Sequence, residues 1–330
     1  MRCAIVILNW NGASMLRRFL PSVLRHTTLP DCQVIVADNG STDDSLTVLR
    51  DEFPQVQVLP LPQNYGFAEG YNRALNAIDA QYCVLLNSDV AVTADWLAPL
   101  LDYLDAHPDT AAVQPKIRAF NNPERFEHAG AAGGEIDILG YPFCRGRILD
   151  RVETDMGQYD TVADCFWATG ACLCLRTTCY KELGGLDADF FAHMEEIDLC
   201  WRMQSRGFRV ACIPQSVVYH LGGGSLPYGN PRKTFLNFRN NLLMLYKNVP
   251  TARLLWLMPL RCALDWVAAL NDLLHGRLDN ARAIIRARRD YHRLKPHFRA
   301  KRRDNLAQTT VPYPDTITPR CILFDYFSRR

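Results

Sequence analysis

Four short apolar runs open the chain, at residues 3–8, 33–37, 56–61 and 82–86, and three of them end abruptly in polar residues. Apolar residues on consecutive rather than alternate positions predict strands covered on both faces, as in a parallel sheet. The polar ends are Asn9-Trp10-Asn11-Gly12, Asp38-Asn39-Gly40-Ser41-Thr42-Asp43-Asp44 and Asn87-Ser88-Asp89, while residues 56–61 lead into Asn64-Tyr65-Gly66. An amphipathic helix is expected over residues 14–25. Ser41 or Thr42 is expected to cap the next helix, with Asp43 and Asp44 in its first turn. Strands alternating with helices predict an α/β fold with a mostly parallel central sheet, whose ligands bind at the carboxyl edge of the strands.

After Asp89 the pattern changes. A helix is expected over 94–106, ended by His107-Pro108, then a strand over 111–120. Residues 121–162 are rich in Gly and Pro without a period, which predicts loops and short hairpins over the site. A strand over 165–175 and a short helix over 177–183, closed by Gly184-Gly185, come next. In the stretch from Glu195, helical spacing puts Glu195, Asp198 and Arg202 on one face and Leu199 and Met203 in an apolar stripe. Strands over 208–213 and 217–220 complete the sheet, and Leu221-Gly222-Gly223-Gly224-Ser225 predicts a flexible loop. A long helix over 231–247 follows. Residues 252–275 are the most hydrophobic part of the chain, but Arg253, Arg261, Asp265 and Asp272 fall on one narrow sector of a helix. One polar stripe on an apolar helix predicts a segment lying in a membrane interface rather than crossing it.

Composition narrows the class. The chain has 330 residues, 48% hydrophobic and 22% charged, which are proportions of a soluble globular protein. No charged region followed by an apolar stretch and cleavage site opens the sequence, so secretion is not expected. The 12 cysteines are never spaced as CxxC, which suits reduced, buried thiols in a cytoplasmic protein. The net charge of +2 hides an asymmetry, because residues 277–303 carry eleven Lys and Arg against Asp279 and Asp290. A basic segment on an acidic body predicts contact with an anionic surface. Few aromatics interleave with these charges, which argues against nucleic acid. The expected division is a domain over 1–250 and an amphipathic, basic helical region over 251–330.

The motifs resemble those of glycosyltransferase family 2. Ile7-Leu8-Asn9-Trp10-Asn11-Gly12, Ala37-Asp38-Asn39-Gly40-Ser41-Thr42-Asp43, Asn64-Tyr65-Gly66-Phe67-Ala68-Glu69-Gly70-Tyr71-Asn72, Leu86-Asn87-Ser88-Asp89 and Glu195-Glu196-Ile197-Asp198-Leu199 occur in the family's order. The similarity spans about residues 3–248 and is greatest to the bacterial rhamnosyltransferase-like branch. It implies the GT-A nucleotide-diphospho-sugar transferase fold with a helical C-terminal extension. It also implies an inverting, metal-dependent transfer of a sugar to a lipid-linked or growing saccharide of the cell surface, with dTDP-rhamnose the first donor to consider. Nucleotide-sugar contacts are expected from Asn9, Asn11, Asp38, Asn64, Gly66, Asn72, Arg73, Asn87, Ser88 and Asp89. Asn87-Ser88-Asp89 stands in the place of the family's DxD motif with its first Asp replaced. Asp89 and His220 would therefore share a divalent ion, Mg²⁺ or Mn²⁺. Trp167, Thr169 and Gly170 are expected on the acceptor side. The base falls at Glu196, where the family has Asp, with Glu195 as the alternative.

The implied partners are a nucleotide diphosphate sugar, a saccharide acceptor on a polyprenyl carrier and the anionic inner face of the cell membrane, where the protein would sit peripherally. Two other readings remain at this level. A nucleotidyltransferase would use a similar sheet, although Asn9-Trp10-Asn11-Gly12 is not a basic, Gly-rich phosphate loop. A non-catalytic nucleotide-sugar-binding protein of the same fold would tolerate the departures at Asn87 and Glu196.

Overall fold

The computed structural model describes residues 1–222 and 230–328; Gly223, Gly224 and Ser225 of the expected flexible loop lie outside them. The first half alternates as predicted: β1 (Cys3–Asn9), α1 (Ala13–His26), β2 (Cys32–Asn39), α2 (Ser45–Glu52), β3 (Gln57–Leu61), α3 (Gly66–Asn76) and β4 (Tyr82–Leu86). Then come β5 (Val90–Val92), α4 (Ala98–Ala106), β6 (Thr110–Ala119) and β7 (Asn122–Phe126). Short strands follow: β8 (Gly134–Asp137), β9 (Pro142–Cys144), β10 (Arg147–Ile148), β11 (Arg151–Val152) and β12 (Ala163–Asp164). The chain continues through β13 (Cys172–Arg176), α5 (Thr177–Glu182), α6 (Glu195–Ser205), β14 (Arg209–His220) and α7 (Pro231–Asn248). It ends in α8 (Thr251–Leu274), α9 (Leu278–Leu294), α10 (Phe298–Ala307), β15 (Ile317–Thr318) and α11 (Ile322–Ser328).

The main sheet has the order β12-β14-β6-β13-β4-β1-β2-β3, with β5 and β7 paired to β14 and β6. β3, β2, β1 and β4 are mutually parallel, and β6 and β14 run the same way, while β13 is antiparallel to both its neighbours. The reversal of β13 matters for the site. It brings the amino end of β13 to the edge where β1, β2, β4 and β14 have their carboxyl ends. The α/β architecture read from the sequence is therefore present, as a mixed sheet flanked by helices.

Successive side chains of a strand point to opposite faces, and both faces here are covered. Ala4 and Val6 join one apolar core with α3, α6 and α7; Cys3, Ile5 and Ile7 join a second with α1, α2 and α4. This is why the early runs show no alternation.

Several local expectations change. Residues 209–220 form one bulged strand, β14, rather than two. Residues 134–152 make a second small sheet, β11-β10-β9-β8-β15, completed by β15 from the distant C-terminal segment. α6 has no solvated face: Asp198 and Arg202 are buried along with Leu199 and Met203. Asp198 accepts from Arg202 Nε, Lys247 Nζ and Asn248 Nδ2, all at 2.8 Å, and Lys247 reaches Asp187 at 2.7 Å. Lys301 of α10 also pairs with Asp187. Removing one partner of such a network strands a buried charge, at a cost of about 3–5 kcal/mol.

α8 is turned the other way from the usual surface helix. Leu257, Arg261, Asp265 and Ala269 face inward, with Arg261 donating to the Leu139 carbonyl at 2.9 Å and Asp265 paired with Arg288 of α9 at 2.5 Å. Leu255, Trp256, Trp266, Val267, Leu270 and Leu274 stand exposed. The charges of its polar stripe thus serve packing, and the apolar face meets the outside. The basic run is likewise partly internal: Arg288, Lys301 and Arg302 neutralise acidic groups or cap α7 carbonyls of the same chain.

Candidate active site

At the carboxyl edge, the loops after β1 and β2 are laced by amides and hydroxyls. Asn9 Nδ2 donates to Asp38 Oδ1 at 3.0 Å and to Ser41 Oγ at 3.2 Å, while Asp38 Oδ2 accepts from the Ser41 amide at 3.0 Å. The Asn11 amide donates to Ser41 Oγ, and Asn11 Oδ1 accepts from the Thr42 amide at 2.7 Å. Ser41 therefore ties two loops together instead of capping α2. Asp44 occupies the cap position without a side-chain cap, and Asp43, one residue earlier and outside the first turn, accepts from the Ser45 amide at 3.0 Å. Asn9 and Asp38 are both buried, and Asn9 Oδ1 is without a partner. Asn39, beside Asp38, brings in the next loop: its Nδ2 donates to Asn64 Oδ1 and to the Gly66 carbonyl, at 3.1 and 3.0 Å. Gly66 has φ +77°, a backbone region natural to glycine, and opens α3.

The resemblance-based assignments divide here. Arg73 is half-exposed, lies over the Tyr65 ring at 3.9 Å and pairs with Glu69. Asn72 is spent elsewhere: its Nδ2 donates to the Leu186 carbonyl at 2.8 Å, and its Oδ1 accepts from Tyr180 and from the Leu186 amide. It stands about 1.7 helical turns beyond Gly66, and its side chain is used up within the fold. Trp167 and Thr169 are also buried in the fold. The Trp167 indole donates to the Glu135 carbonyl at 2.9 Å and covers Gly134, and Thr169 Oγ1 accepts from the Ala171 amide at 3.2 Å. Gly170 is buried too, but of the three it faces Glu196: a Cβ there would lie 3.1 Å from the Phe67 ring and 4.0 Å from Glu196 Cβ.

Asn87-Ser88-Asp89 follows β4 and is joined to the amino end of β13 by the Asn87 amide, which donates to the Ala171 carbonyl at 3.0 Å. Glu196, Gly170 and Asn87 thus share one neighbourhood. His220 ends β14, with Nε2 3.1 Å from Asp89 Oδ1 and 3.4 Å from Asn87 Nδ2. Its Nδ1 lies 3.3 Å from Glu127 Oε2. Burial disfavours charge on this ring, yet the Asp89 and Glu127 carboxylates outweigh it and lift the imidazole to about 10. Burial alone would raise Asp89, but His220 holds its carboxyl below the ordinary value. Glu127 was invisible in the sequence because residues 121–162 carry no pattern; only its β7 pairing with β6 brings it near His220.

Among the described residues no cluster of three or more His, Cys, Asp or Glu side chains forms a self-sufficient metal site. The pair that exists fits a shared ion. Two ligand atoms at about 2.1 Å from an octahedral cation sit about 3.0 Å apart, close to the 3.1 Å between His220 Nε2 and Asp89 Oδ1. The carboxylate and imidazole would leave the remaining positions to substrate oxygens and water.

The segment before α6 is unusual. Phe191, His193 and Met194 all adopt positive φ, at 65°, 69° and 76°. Such backbone costs about 1–3 kcal/mol per residue and persists only where its surroundings impose it. Asn240 of α7 imposes it here, with Nδ2 donating to the carbonyls of Phe190, Ala192 and His193 at 2.9, 2.8 and 2.8 Å. The segment delivers Glu195 and Glu196 to the first turn of α6. Each has one carboxylate oxygen buried without a partner. Burial first, then the neighbouring Glu196, pushes Glu195 well above the usual carboxylate range. Glu196, crowded by protein yet partly open to the cleft, is pushed up to about 7, chiefly by burial. A carboxyl poised near neutral pH, its oxygen free to take a proton, has the properties of a general base.

The model of glycosyl transferase family 2 matches residues 4–167. The chain belongs to that family. Among its relatives is the N-acetylglucosaminyl-diphospho-decaprenol L-rhamnosyltransferase of Mycobacterium tuberculosis, 28% identical over 66% of this chain and 75% of the relative. The fold resembles that of S. aureus TarS residues 1–349, with TM-score 0.57 at 15% identity, covering 92% of this chain and 89% of that one. It also resembles the mannosyltransferase PcManGT of Pyrobaculum calidifontis solved with GDP-Man and Mn²⁺, with TM-score 0.53 at 16% identity, covering 93% and 85%. These structural likenesses establish the GT-A fold, and the likeness to the mycobacterial rhamnosyltransferase makes this glycosyltransferase rhamnosyltransferase-like.

Proposed function

We propose that this glycosyltransferase inverts configuration as it moves a rhamnosyl group from dTDP-rhamnose to a saccharide carried on a polyprenyl diphosphate, in the synthesis of a cell-surface polysaccharide. The observation that carries the reading is the pairing of two features on one edge: Glu196 with an unsatisfied oxygen, and Asp89 beside His220 at the same strand ends. The name of the mycobacterial relative supports the sugar and the class of acceptor.

In the reaction, Glu196 takes the proton of the acceptor hydroxyl as its oxygen bonds to the anomeric carbon, with Glu195 the alternative base. The bond from that carbon to the phosphate oxygen breaks, and the nucleoside diphosphate leaves with the electron pair. Asp89 and His220 would hold a divalent cation, Mn²⁺ or Mg²⁺, whose charge offsets that on the leaving diphosphate. Asn9, Asn11, Asp38, Asn64, Gly66, Arg73, Asn87 and Ser88 line the donor side, and Gly170 the acceptor side. We assign catalysis to residues 1–250 and a supporting, membrane-facing role to 251–330.

The exposed apolar face of α8, with Trp256 and Trp266, supports a peripheral position at the inner leaflet. α8 is long and apolar enough by length and composition to cross a bilayer. Its Arg261 and Asp265, buried against the protein, favour lying on the surface. The test is transfer of label from dTDP-rhamnose to an N-acetylglucosaminyl polyprenyl diphosphate with and without Mn²⁺. Transfer from another sugar nucleotide alone, or equal transfer in a metal chelator, would refute the donor or the metal dependence respectively.

A further inference from the structure

Between α7 and α9 lies a groove that none of the motifs accounts for. It encloses a cavity of about 790 Å³, adjoined by a second of about 480 Å³ that shares Phe235, Arg239 and Arg286. Arg232, Phe235 and Arg239 stand one and two turns apart on α7, facing Arg286 and Arg289 of α9. Phe191 closes one end. Among the described residues, no carboxylate lies within ion-pair distance of Arg232, Arg286 or Arg289. Elsewhere in the same basic run the cations are neutralised: Arg288 by Asp265, Lys301 by Asp187. Asp279 and Asp290 also line the groove, paired with Arg282 and with Arg239 and Arg293, so the cations left over are Arg232, Arg286 and Arg289. Like charges in such excess on facing helices cost folding energy, and an anion placed among them recovers it through charge-assisted hydrogen bonds.

The position of the groove selects the anion. Phe191 belongs to the strained segment that carries Glu195 and Glu196, and its ring lies 3.1 Å from where a Cβ on Gly66 would stand. Arg239 donates to the Phe190 carbonyl at 3.2 Å. The groove is therefore one loop away from the base, while Asp89 and His220 occupy the strand ends on the donor side. Arg288 fastens α9 to α8 at the other side, and α8 turns its apolar face outward. A ligand lying here would have its anionic part among the guanidinium groups and phenyl rings, its sugar toward Glu196 and its hydrocarbon toward the apolar helix.

We propose that the α7–α9 groove binds the diphosphate of the lipid-linked acceptor through Arg232, Arg239, Arg286 and Arg289. The inference rests on the polyprenyl-linked acceptor proposed above, and it places the acceptor's diphosphate where arginines outnumber Asp279 and Asp290.

The test uses the full chain and farnesyl diphosphate, a short prenyl diphosphate soluble enough for titration calorimetry. The double variant Arg286→Glu/Arg289→Glu removes two exposed side chains, so the melting temperature should hold. Its affinity for farnesyl diphosphate should fall by about tenfold or more. The KM for the lipid-linked acceptor should rise by a similar factor, with kcat and the donor KM unchanged. Arg299→Glu, on the exposed side of α10, should change none of these. An unaltered affinity in the double variant overturns the proposal, as does an equal loss in Arg299→Glu. A loss of binding to phosphatidylglycerol vesicles with farnesyl diphosphate affinity intact also overturns it, and makes the arginines a membrane patch. Transfer to a water-soluble saccharide without any farnesyl diphosphate binding would sink the groove and the lipid carrier but spare the transferase. Arginine-dependent binding without transfer to any prenyl-linked acceptor would spare the groove and sink the proposed reaction.

Discussion

Glu196→Gln separates chemistry from stability in one substitution. The carboxyl is lifted from an ordinary 4.5 to about 7, chiefly by burial. As a base it works only when ionised, so about a tenth of molecules are competent at pH 6, about half at pH 7 and about nine tenths at pH 8. The kcat/KM of the native enzyme should therefore rise about tenfold from pH 6 to pH 8 and then level off. Gln keeps the shape and cannot accept the proton, so kcat should fall by about 10²–10⁴. Stability should move the other way. A group whose folded value lies above its unfolded value favours the folded state below about pH 4.5, and that advantage drains away as the pH rises through about 7. By pH 8 the native chain carries a penalty of about 3 kcal/mol for the buried charge, which Gln removes. The variant should thus melt several degrees higher than the native protein at pH 8, the difference fading as the pH falls toward 4.5. Parallel pH-rate and thermal-melting series check both arms. A flat pH-rate profile, or a Gln variant with near-native turnover, would refute the assignment of Glu196. Loss of turnover in Glu195→Gln alone would transfer the role to its neighbour.

Further expectations concern the rest of the site. His220→Ala and Asp89→Ala should each abolish the Mn²⁺-dependent rise in melting temperature given by a nucleotide diphosphate sugar; in the native protein that rise should grow with pH, because a cation at His220 must displace a proton held to about 10. Asn240→Ala removes three hydrogen bonds to the carbonyls before α6. It should cost about 2–3 kcal/mol in denaturant unfolding and lower kcat while leaving donor affinity in place. Trp256→Gln/Trp266→Gln should weaken sedimentation with anionic vesicles without lowering the melting temperature, since both rings are exposed; unchanged sedimentation would remove α8 from the membrane contact.

How much was legible beforehand depends on the range of each interaction. The alternation of apolar runs and helices reads directly from residues 3–86, because burial on both sheet faces leaves a local signature. The polar strand ends at Asn9, Asp38 and Asn87-Ser88-Asp89 were equally plain, since an apolar run that stops in polar groups marks a sheet edge wherever it lies. The direction of the α8 stripe was not legible. A helix of one polar and one apolar face looks the same whether charge or hydrocarbon meets the outside, and only Arg288 opposite Asp265 decides it. Asn72 and Trp167 carried family motifs, yet their partners are Leu186 and Glu135, distant or unpatterned positions that spacing does not reveal; Thr169 is turned into the fold by the amide of Ala171, two residues on.

The sequence by itself determined the local elements, the sheet edge and the residue types offered there. Those follow from hydrophobic period, turn chemistry and the abrupt polar ends, all of which act over a few residues. Tertiary structure alone decided which of the offered groups meet. The reversed strand β13 set Gly170 beside Glu196, Glu127 came behind His220 from a segment without pattern, and Asn240 forced the backbone that presents the two glutamates. Each joins positions tens of residues apart, and their proximity depends on strand order and burial that no local pattern encodes.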